Sequence, residues 1–126
     1  MEKQQLLNSK KTIAEFMGAS EDTYPKGLPN GTEFAGNWEK HLDNFNYDTD
    51  WAWIMPVVEK IAKEYDVRIT WMPTAVDVTY IHRPDVSDGE ISSMGGMTAK
   101  ENTFIAVVRF IEWYNTKSHA RKKSNN

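Results

Sequence analysis

The sequence contains no cysteine among its 126 residues. Disulfide bonds, zinc–thiolate sites and cysteine nucleophiles are therefore excluded together, and the composition fits a reducing cytoplasm. No apolar run approaches the roughly 18 residues that a membrane-spanning helix needs. The first residues include an acidic Glu2 and no sustained hydrophobic stretch, so we expect no secretory signal. These absences favour a cytoplasmic protein without a membrane anchor.

A large excess of one charge is also missing, since the formal net charge is −3. Dedicated nucleic-acid binders usually carry a basic face, which this weakly acidic chain does not predict. Positive charge is concentrated near the C-terminus, in Arg121, Lys122 and Lys123. We interpret residues 118–126 as a flexible, solvated basic tail. The alternative that remains open is a weak nucleic-acid-associated module that binds through these three side chains.

What the sequence does contain is enough apolar material for one core, with 40% hydrophobic and 12% aromatic residues. We expect a single domain that spans residues 1–126. Its central element is predicted to be an amphipathic helix that starts after an N-cap at Thr49 or Asp50. Pro56 should bend this helix or mark the start of its regular part. The apolar stripe expected to face the core is Trp51, Ile54, Met55, Val58, Ile61, Ala62 and Tyr65.

Flanking stretches carry further signals. Residues 4–17 predict a first helix that Gly18 terminates, and residues 19–36 predict an irregular loop anchored by scattered aromatic side chains. Period-two alternation over 67–72 and 76–83 predicts an antiparallel hairpin, and 90–94 a short third strand. Thr98 and Glu101 form a capping-box pattern that opens the last helix.

The predicted fold class is α+β, with helices packed on a small antiparallel sheet in the order α-loop-α-β-β-(β)-α. The last helix is apolar around much of its circumference. It must therefore be covered by the sheet and by either another helix or a partner chain. A homodimer consequently remains open.

One cluster of titratable residues follows the second predicted strand. A metal-assisted hydrolase or nuclease could use its side chains, which are His82, Asp85, Asp88 and Glu90. The spacing does not match an EF-hand loop, and aspartate with glycine is also what an ordinary turn selects. We therefore assign no catalytic residue, no metal ligand and no cofactor, and we keep this activity as an alternative. The protein is more simply interpreted as a non-enzyme.

Aromatic residues are numerous for this length, and three of them lie away from the predicted apolar stripes. Trp38, Tyr47 and Trp53 are candidate partner-binding residues, because tryptophan and tyrosine are enriched at binding hot spots. The competing interpretation is that these side chains are buried in the same small core. Exposure of the three side chains decides between the two.

Three phrases resemble a family of small, mostly uncharacterised proteins carried by bacterial phages, prophages and other mobile elements. They are TIAEFMG at 12–18, DWAWIMPVVEKI at 50–61 and FIAVVRFIEWYN at 104–115. The resemblance carries over no catalytic residue. It implies a small accessory protein in the cytoplasm of a bacterial host, where inhibitors of host defence are common. We accordingly predict a non-enzymatic binding protein that acts by contact with a host protein.

Overall fold

A computed structural model describes residues 2–29, 32, 34–65, 67–72, 75–80, 90–93 and 98–124. For residues 72, 75, 77–80, 90–93 and 117–124 it describes the backbone but not the side chains. Along the chain the elements are helix α1 (Lys3–Phe16), a 3₁₀ helix (Trp38–Asn44), helix α2 (Trp51–Glu64), strands β1 (Val67–Met72), β2 (Ala75–Tyr80) and β3 (Glu90–Ser93), and helix α3 (Ala99–Ser124). This order matches the predicted one, and the mixed, helix-rich class is confirmed.

The three strands lie in the order β1-β2-β3, and both neighbouring pairs run antiparallel. Ile69 lies opposite Val78, which in turn lies opposite Ile91. Strand β1 is therefore an outer strand. Val67 in β1 and Val76 in β2 are buried, while Arg68 and Thr70 are exposed. Over residues 67–70, alternate positions of β1 thus differ in exposure, as period-two patterning predicts, whereas Trp71 is exposed although it shares the parity of Val67.

Helix α1 ends where Gly18 was predicted to end it. Gly18 has a φ of +99°, a conformation that glycine adopts without steric cost. The amide of Ala19 donates to the carbonyl of Ala14, and the amide of Gly18 donates to the carbonyl of Glu15. This pair of bonds is the Schellman arrangement. Lys60 of α2 adds a further cap, because its Nζ donates to the carbonyl of Phe16 at 2.6 Å.

The loop at 19–36 is held by aromatic side chains, as predicted. The Tyr24 hydroxyl donates to the carbonyl of Gly36 at 2.7 Å, and Trp38 Nε1 donates to the carbonyl of Ser20 at 2.7 Å. Phe34 stacks on His41 with 4.9 Å between ring centroids. Buried and half-buried rings therefore replace regular secondary structure in this segment.

The N-cap of α2 is confirmed at Asp50, whose Oδ1 accepts a hydrogen bond from the Ala52 amide at 2.9 Å. The predicted buried stripe is partly wrong, because Trp51 and Ala62 are exposed whereas Trp53 and Val57 are buried. The reason is the aromatic segment that precedes α2, since its rings cover the side of the helix that carries Trp53. The buried residues of α2 are Trp53, Ile54, Val57, Val58 and Ile61.

Helix α3 begins at the predicted capping box, where the Glu101 amide donates to Thr98 Oγ1 at 3.1 Å. Its apolar circumference is covered by α1, α2, β2 and β3 of the same chain. The helix continues to Ser124, so the tail predicted to be flexible from residue 118 is helical over most of its length. Residues 118–124 contain neither glycine nor proline, and cations are favourable near a helix C-terminus.

Candidate functional site

The three predicted partner-binding residues lie in the core. Trp38, Tyr47 and Trp53 expose only 3%, 2% and 5% of their surfaces. Phe45 lies among them, with its ring centroid 5.4 Å from that of Trp53 and 6.2 Å from that of Tyr47. The interpretation that these rings build the core is therefore the one that the structure favours. None of the three presents a surface to a partner in this conformation.

Two other tryptophans are exposed. Trp51 exposes 38% and Trp71 exposes 43% of its surface, and they are the exposed large hydrophobic residues within the described side chains. Trp51 is the first residue of α2, and Trp71 lies near the end of β1. Contiguous exposed apolar surface is what marks a contact site in a folded protein, and tryptophan supplies more apolar area per side chain than any other residue.

Trp71 and the segment that precedes Trp51 are both hydrogen-bonded to the first two turns of α3. Trp71 Nε1 donates to Thr103 Oγ1 at 2.9 Å, and the same hydroxyl donates to the carbonyl of Ala99 at 2.7 Å. Lys100 Nζ donates to the carbonyl of Thr49 at 3.3 Å, two residues before Trp51. We call Trp51, Trp71 and Lys100 the tryptophan surface.

The bond from Trp71 to Thr103 matters because Thr103 is fully buried. Its hydroxyl accepts one hydrogen bond and donates another, so its position is set by the helix rather than by solvent. The Trp71 indole is consequently held at its N–H end while much of its ring stays in water. A ring fixed in this way loses little conformational entropy when a partner covers it.

The charges around the tryptophan surface are mixed. Lys100 is basic, whereas Asp50, which precedes Trp51, and Glu101, which follows Lys100, are acidic. Asp50 and Glu101 both belong to helix N-termini, where carboxylates offset the helix dipole. The arrangement therefore offers apolar contact with peripheral polar groups, which is the composition typical of a protein–protein contact.

A second polar feature lies inside the molecule, between α1 and the segment before α2. Lys10 is buried, with its Nζ 3.6 Å from Asp48 Oδ1 and 3.4 Å from the carbonyl of Asp43. The neighbouring Tyr47 hydroxyl is buried without a hydrogen-bond partner in the described part of the chain. Burial raises the pKa of Tyr47 well above its usual value. These groups join α1 to the aromatic core.

The other predicted site residues fall where side chains are not described. His82, Asp85 and Asp88 lie outside the described residues, and Glu90 is described only as the first backbone position of β3. Arg121, Lys122 and Lys123 lie on the helical backbone of α3. Among the residues whose surroundings are described, no group of three or more histidine, aspartate or glutamate side chains is placed to hold a metal ion.

Sequence reasoning missed both residues of the exposed pair, and for different reasons. Trp51 was assigned to the buried stripe of α2, because a stripe that contains residue 51 also contains 54, 55, 58 and 61. Trp71 was part of the alternating pattern of β1, which predicts two faces of a strand but does not say that a residue at its end is exposed. The available signal for Trp51 was its place in the first turn, directly after the Asp50 cap, where a helix is least covered.

None of the helices, within the residues described, has a stretch long and apolar enough to cross a bilayer. Comparison of the chain with protein-family models, curated proteins and solved structures finds no match. Function is therefore inferred from the exposed tryptophans and the contacts that position them.

Proposed function

We propose that this chain is a small, non-enzymatic binding protein that contacts a host protein through the tryptophan surface. The observation that supports it is the exposure of Trp51 and Trp71 on a fold whose other described aromatic rings are buried or half-buried. Tryptophan is the residue type most enriched at binding hot spots, and its truncation there typically costs about 2 kcal/mol or more.

The attachment of both residues to regular elements supports the same proposal. Trp51 begins a helix, and Trp71 lies on a strand and is hydrogen-bonded to a buried threonine of α3. Side chains on rigid elements are presented in one geometry, which reduces the entropy lost on binding. This distinguishes them from aromatic residues on a mobile segment.

We also propose that the helices pack on one face of the antiparallel sheet and leave the other face polar. Support comes from Val67 and Val76, which are buried, and from Arg68 and Thr70, which are exposed. The polar face would then contribute little to binding, and the apolar contact would be confined to the end of the sheet nearest Trp71.

The setting we propose is the cytoplasm of a bacterial host, with the chain acting as a phage accessory protein or an inhibitor of host defence. The support for this setting is the resemblance of residues 12–18, 50–61 and 104–115 to proteins of mobile elements, together with the absence of cysteine. The proposed binding role of the tryptophan surface does not depend on the proposed phage or bacterial setting.

The test is affinity capture from a host lysate with the wild-type chain, Trp51→Ala and Trp71→Ala as parallel baits. We expect a defined protein that the wild type retains and that each tryptophan variant retains at least about 30-fold more weakly, which corresponds to about 2 kcal/mol. Glu59→Ala, at an exposed position of α2, is the matched control and should capture as the wild type does.

Trp71→Phe refines the test, because it keeps an apolar ring but removes the donor to Thr103. A partial loss is expected if orientation contributes to affinity. Equal capture by wild type and a correctly folded Trp51→Ala, Trp71→Ala double variant would contradict the proposal. Metal-dependent cleavage of a nucleic acid that survives both substitutions would instead favour a hydrolase.

A further inference from the structure

Strand β1 has an outer edge that no other described part of the chain pairs. Its cross-strand neighbours all belong to β2, from Val67 opposite Tyr80 to Met72 opposite Ala75. Within the described residues, the backbone from Val67 to Trp71 makes no hydrogen bond to any element other than β2. In an antiparallel pair every second residue directs its N–H and C=O away from its neighbour. Within the described part of the chain, the backbone donors and acceptors on the outer edge of β1 are therefore unpaired.

The usual protection of such an edge is weak here. Natural edge strands carry proline, several charges or a bulge that turns the edge away. The register of β1 with β2 is continuous over six residue pairs, with no bulge. The strand contains no proline, and Arg68 is its one charged residue. Arg68 and Thr70 on one face of the strand and Trp71 on the other are all exposed, so neither face of β1 is fully covered.

We propose that a second copy of this chain occupies the edge, with the two β1 strands antiparallel about a two-fold axis at Ile69. The two sheets would then join into one of six strands. The axis places Ile69 opposite its own equivalent, Val67 opposite Trp71 of the second copy, and Arg68 opposite Thr70 of the second copy. This dimer goes beyond the proposed function and needs no host partner.

The sequence of β1 is complementary to itself in this register. Pairs of β-branched residues and pairs of an aromatic with a β-branched residue are among the favourable cross-strand combinations. Both occur here, in Ile69 with Ile69 and in Val67 with Trp71. No like charges face each other, because Arg68 lies opposite a threonine. In this register, odd-numbered residues of the two copies lie on the same face of the joined sheet. The half-buried Ile69 and the exposed Trp71 would therefore both become more buried in the dimer.

This self-complementarity favours a second copy of the chain as the molecule that pairs with the edge of β1. An isologous contact requires that one patch fit its own copy. A strand with two cationic residues at alternate positions would repel itself in this register, whereas β1 has a single one at Arg68. The interface is small, so we expect a weak dimer whose population depends on protein concentration.

Sedimentation equilibrium of the purified chain over a wide concentration series tests the inference, with three chains compared. The wild type should show a reversible monomer–dimer equilibrium. Thr70→Glu places a glutamate opposite Arg68 at two symmetric positions and should tighten the dimer by about 2- to 30-fold. Thr70→Arg places two arginines opposite each other twice and should weaken the dimer by a similar factor.

The same substitutions have the opposite effect inside one chain, which separates association from folding. Thr70 lies opposite Asp77 in β2, so Thr70→Arg should favour the hairpin and Thr70→Glu should disfavour it. Thermal melting of the monomers reports that effect. Mixing Thr70→Arg with Arg68→Glu should produce a heterodimer, because the arginine introduced at position 70 of one chain then meets the glutamate introduced at position 68 of the other.

Two results would overturn the inference. One is a wild type that stays monomeric up to its solubility limit. The other is a dimer whose dissociation constant responds equally to Thr70→Arg and Thr70→Glu, since association would then use another surface. Trp71 takes part in both proposed contacts, whereas Trp51 lies on α2, outside β1. Capture by the Trp51→Ala bait therefore distinguishes failure of the proposed function from failure of the dimer.

Discussion

Trp51 and Trp53 lie two residues apart on the same helix, yet one is exposed and the other is buried. Two residues correspond to about 200° around an α-helix, so the two rings point to nearly opposite sides. The side that carries Trp53 is covered by Phe34, Phe45 and Tyr47, with ring centroids 5.3–6.5 Å from its own. No comparable layer of rings lies over Trp51 within the described residues, although Val58, two turns further along the same side, is buried.

Whether an aromatic residue of α2 is buried or exposed therefore depends on what the preceding chain packs against it. The segment from Tyr24 to Tyr47 contributes a layer of rings and occupies one side of α2. On the opposite side, the exposed ring is that of Trp51 in the first turn, which remains available for contact with another molecule. The same division applies to β1, where Val67 is buried and Trp71 is held at its N–H end but exposed.

The largest expected effect contrasts the two tryptophans of α2 directly. Trp53→Ala should lower the free energy of unfolding by about 3–5 kcal/mol, because it removes a buried ring and leaves a cavity among three others. Trp51→Ala should lower it by no more than about 1 kcal/mol, since much of that ring is already in water. Urea denaturation of both variants measures the difference. Similar losses at the two positions would contradict the division of the helix into a covered and an open side.

The second effect concerns the loop that covers α2. Gly27 has a φ of +78°, and an added Cβ would lie 2.9 Å from Pro56 Cβ and 3.1 Å from Met17 Cε. Gly27→Ala should therefore cost about 2–4 kcal/mol, from the left-handed conformation together with overpacking. Gly36 has a φ of +83° and open space around it, so Gly36→Ala should cost only the conformational part, about 1–2 kcal/mol.

Thermal denaturation of the two glycine variants checks the packing of the loop on α2. The conformational cost is common to both variants, so the difference in stability reports the contact with Pro56. Equal losses would mean that residues 19–36 do not press on the helix as closely as the structure indicates.

The smallest effect at neutral pH is expected for Tyr47→Phe. The hydroxyl is buried without a hydrogen-bond partner in the described part of the chain, so removing it should change stability little or raise it by up to about 1 kcal/mol. Its pH dependence is larger. Burial raises the pKa of Tyr47 in the folded chain, whereas the unfolded chain ionises near the ordinary value of about 10.

The direction of this pH dependence follows from the linkage between proton binding and folding. A group whose pKa is raised by folding contributes full stability below the unfolded value, and that stability is lost as the pH rises above it. The wild type should therefore lose roughly 1.4 kcal/mol per pH unit above about pH 10 through this residue, and Tyr47→Phe should not. Unfolding free energies at neutral pH and at about pH 11 test this. Parallel losses in both chains would mean that the hydroxyl is hydrated.

Much of the fold was predictable because its signals are local. Gly18, Asp50 and Thr98 act through bonds to residues within five positions, so helix ends follow from the sequence alone. The alternation of β1 is equally local. The continuation of α3 to Ser124 was missed, because charge in the last residues was taken as a sign of fraying although it is compatible with a helix C-terminus.

The site was not predictable in the same way, because exposure depends on long-range packing. Residue type does not distinguish Trp51 from Trp53, since both are tryptophans that could be buried. Both sides of α2 carry apolar residues, so periodicity does not determine which side of the helix faces the core. The choice is made by Phe34, Phe45 and Tyr47, whose positions depend on the hydrogen bonds that hold residues 19–36. Lys10 shows the same limit, since it lies at a stripe position and is buried beside Asp48.

The most direct measurement of the central claim is ¹⁹F NMR of the chain labelled with 5-fluorotryptophan, titrated with a soluble paramagnetic relaxation agent. Assignment uses single Trp→Phe variants. The account predicts that the resonances of Trp51 and Trp71 broaden at low agent concentration, while those of Trp38 and Trp53 stay sharp. Broadening of Trp38 or Trp53 to the same extent as Trp51 would contradict it.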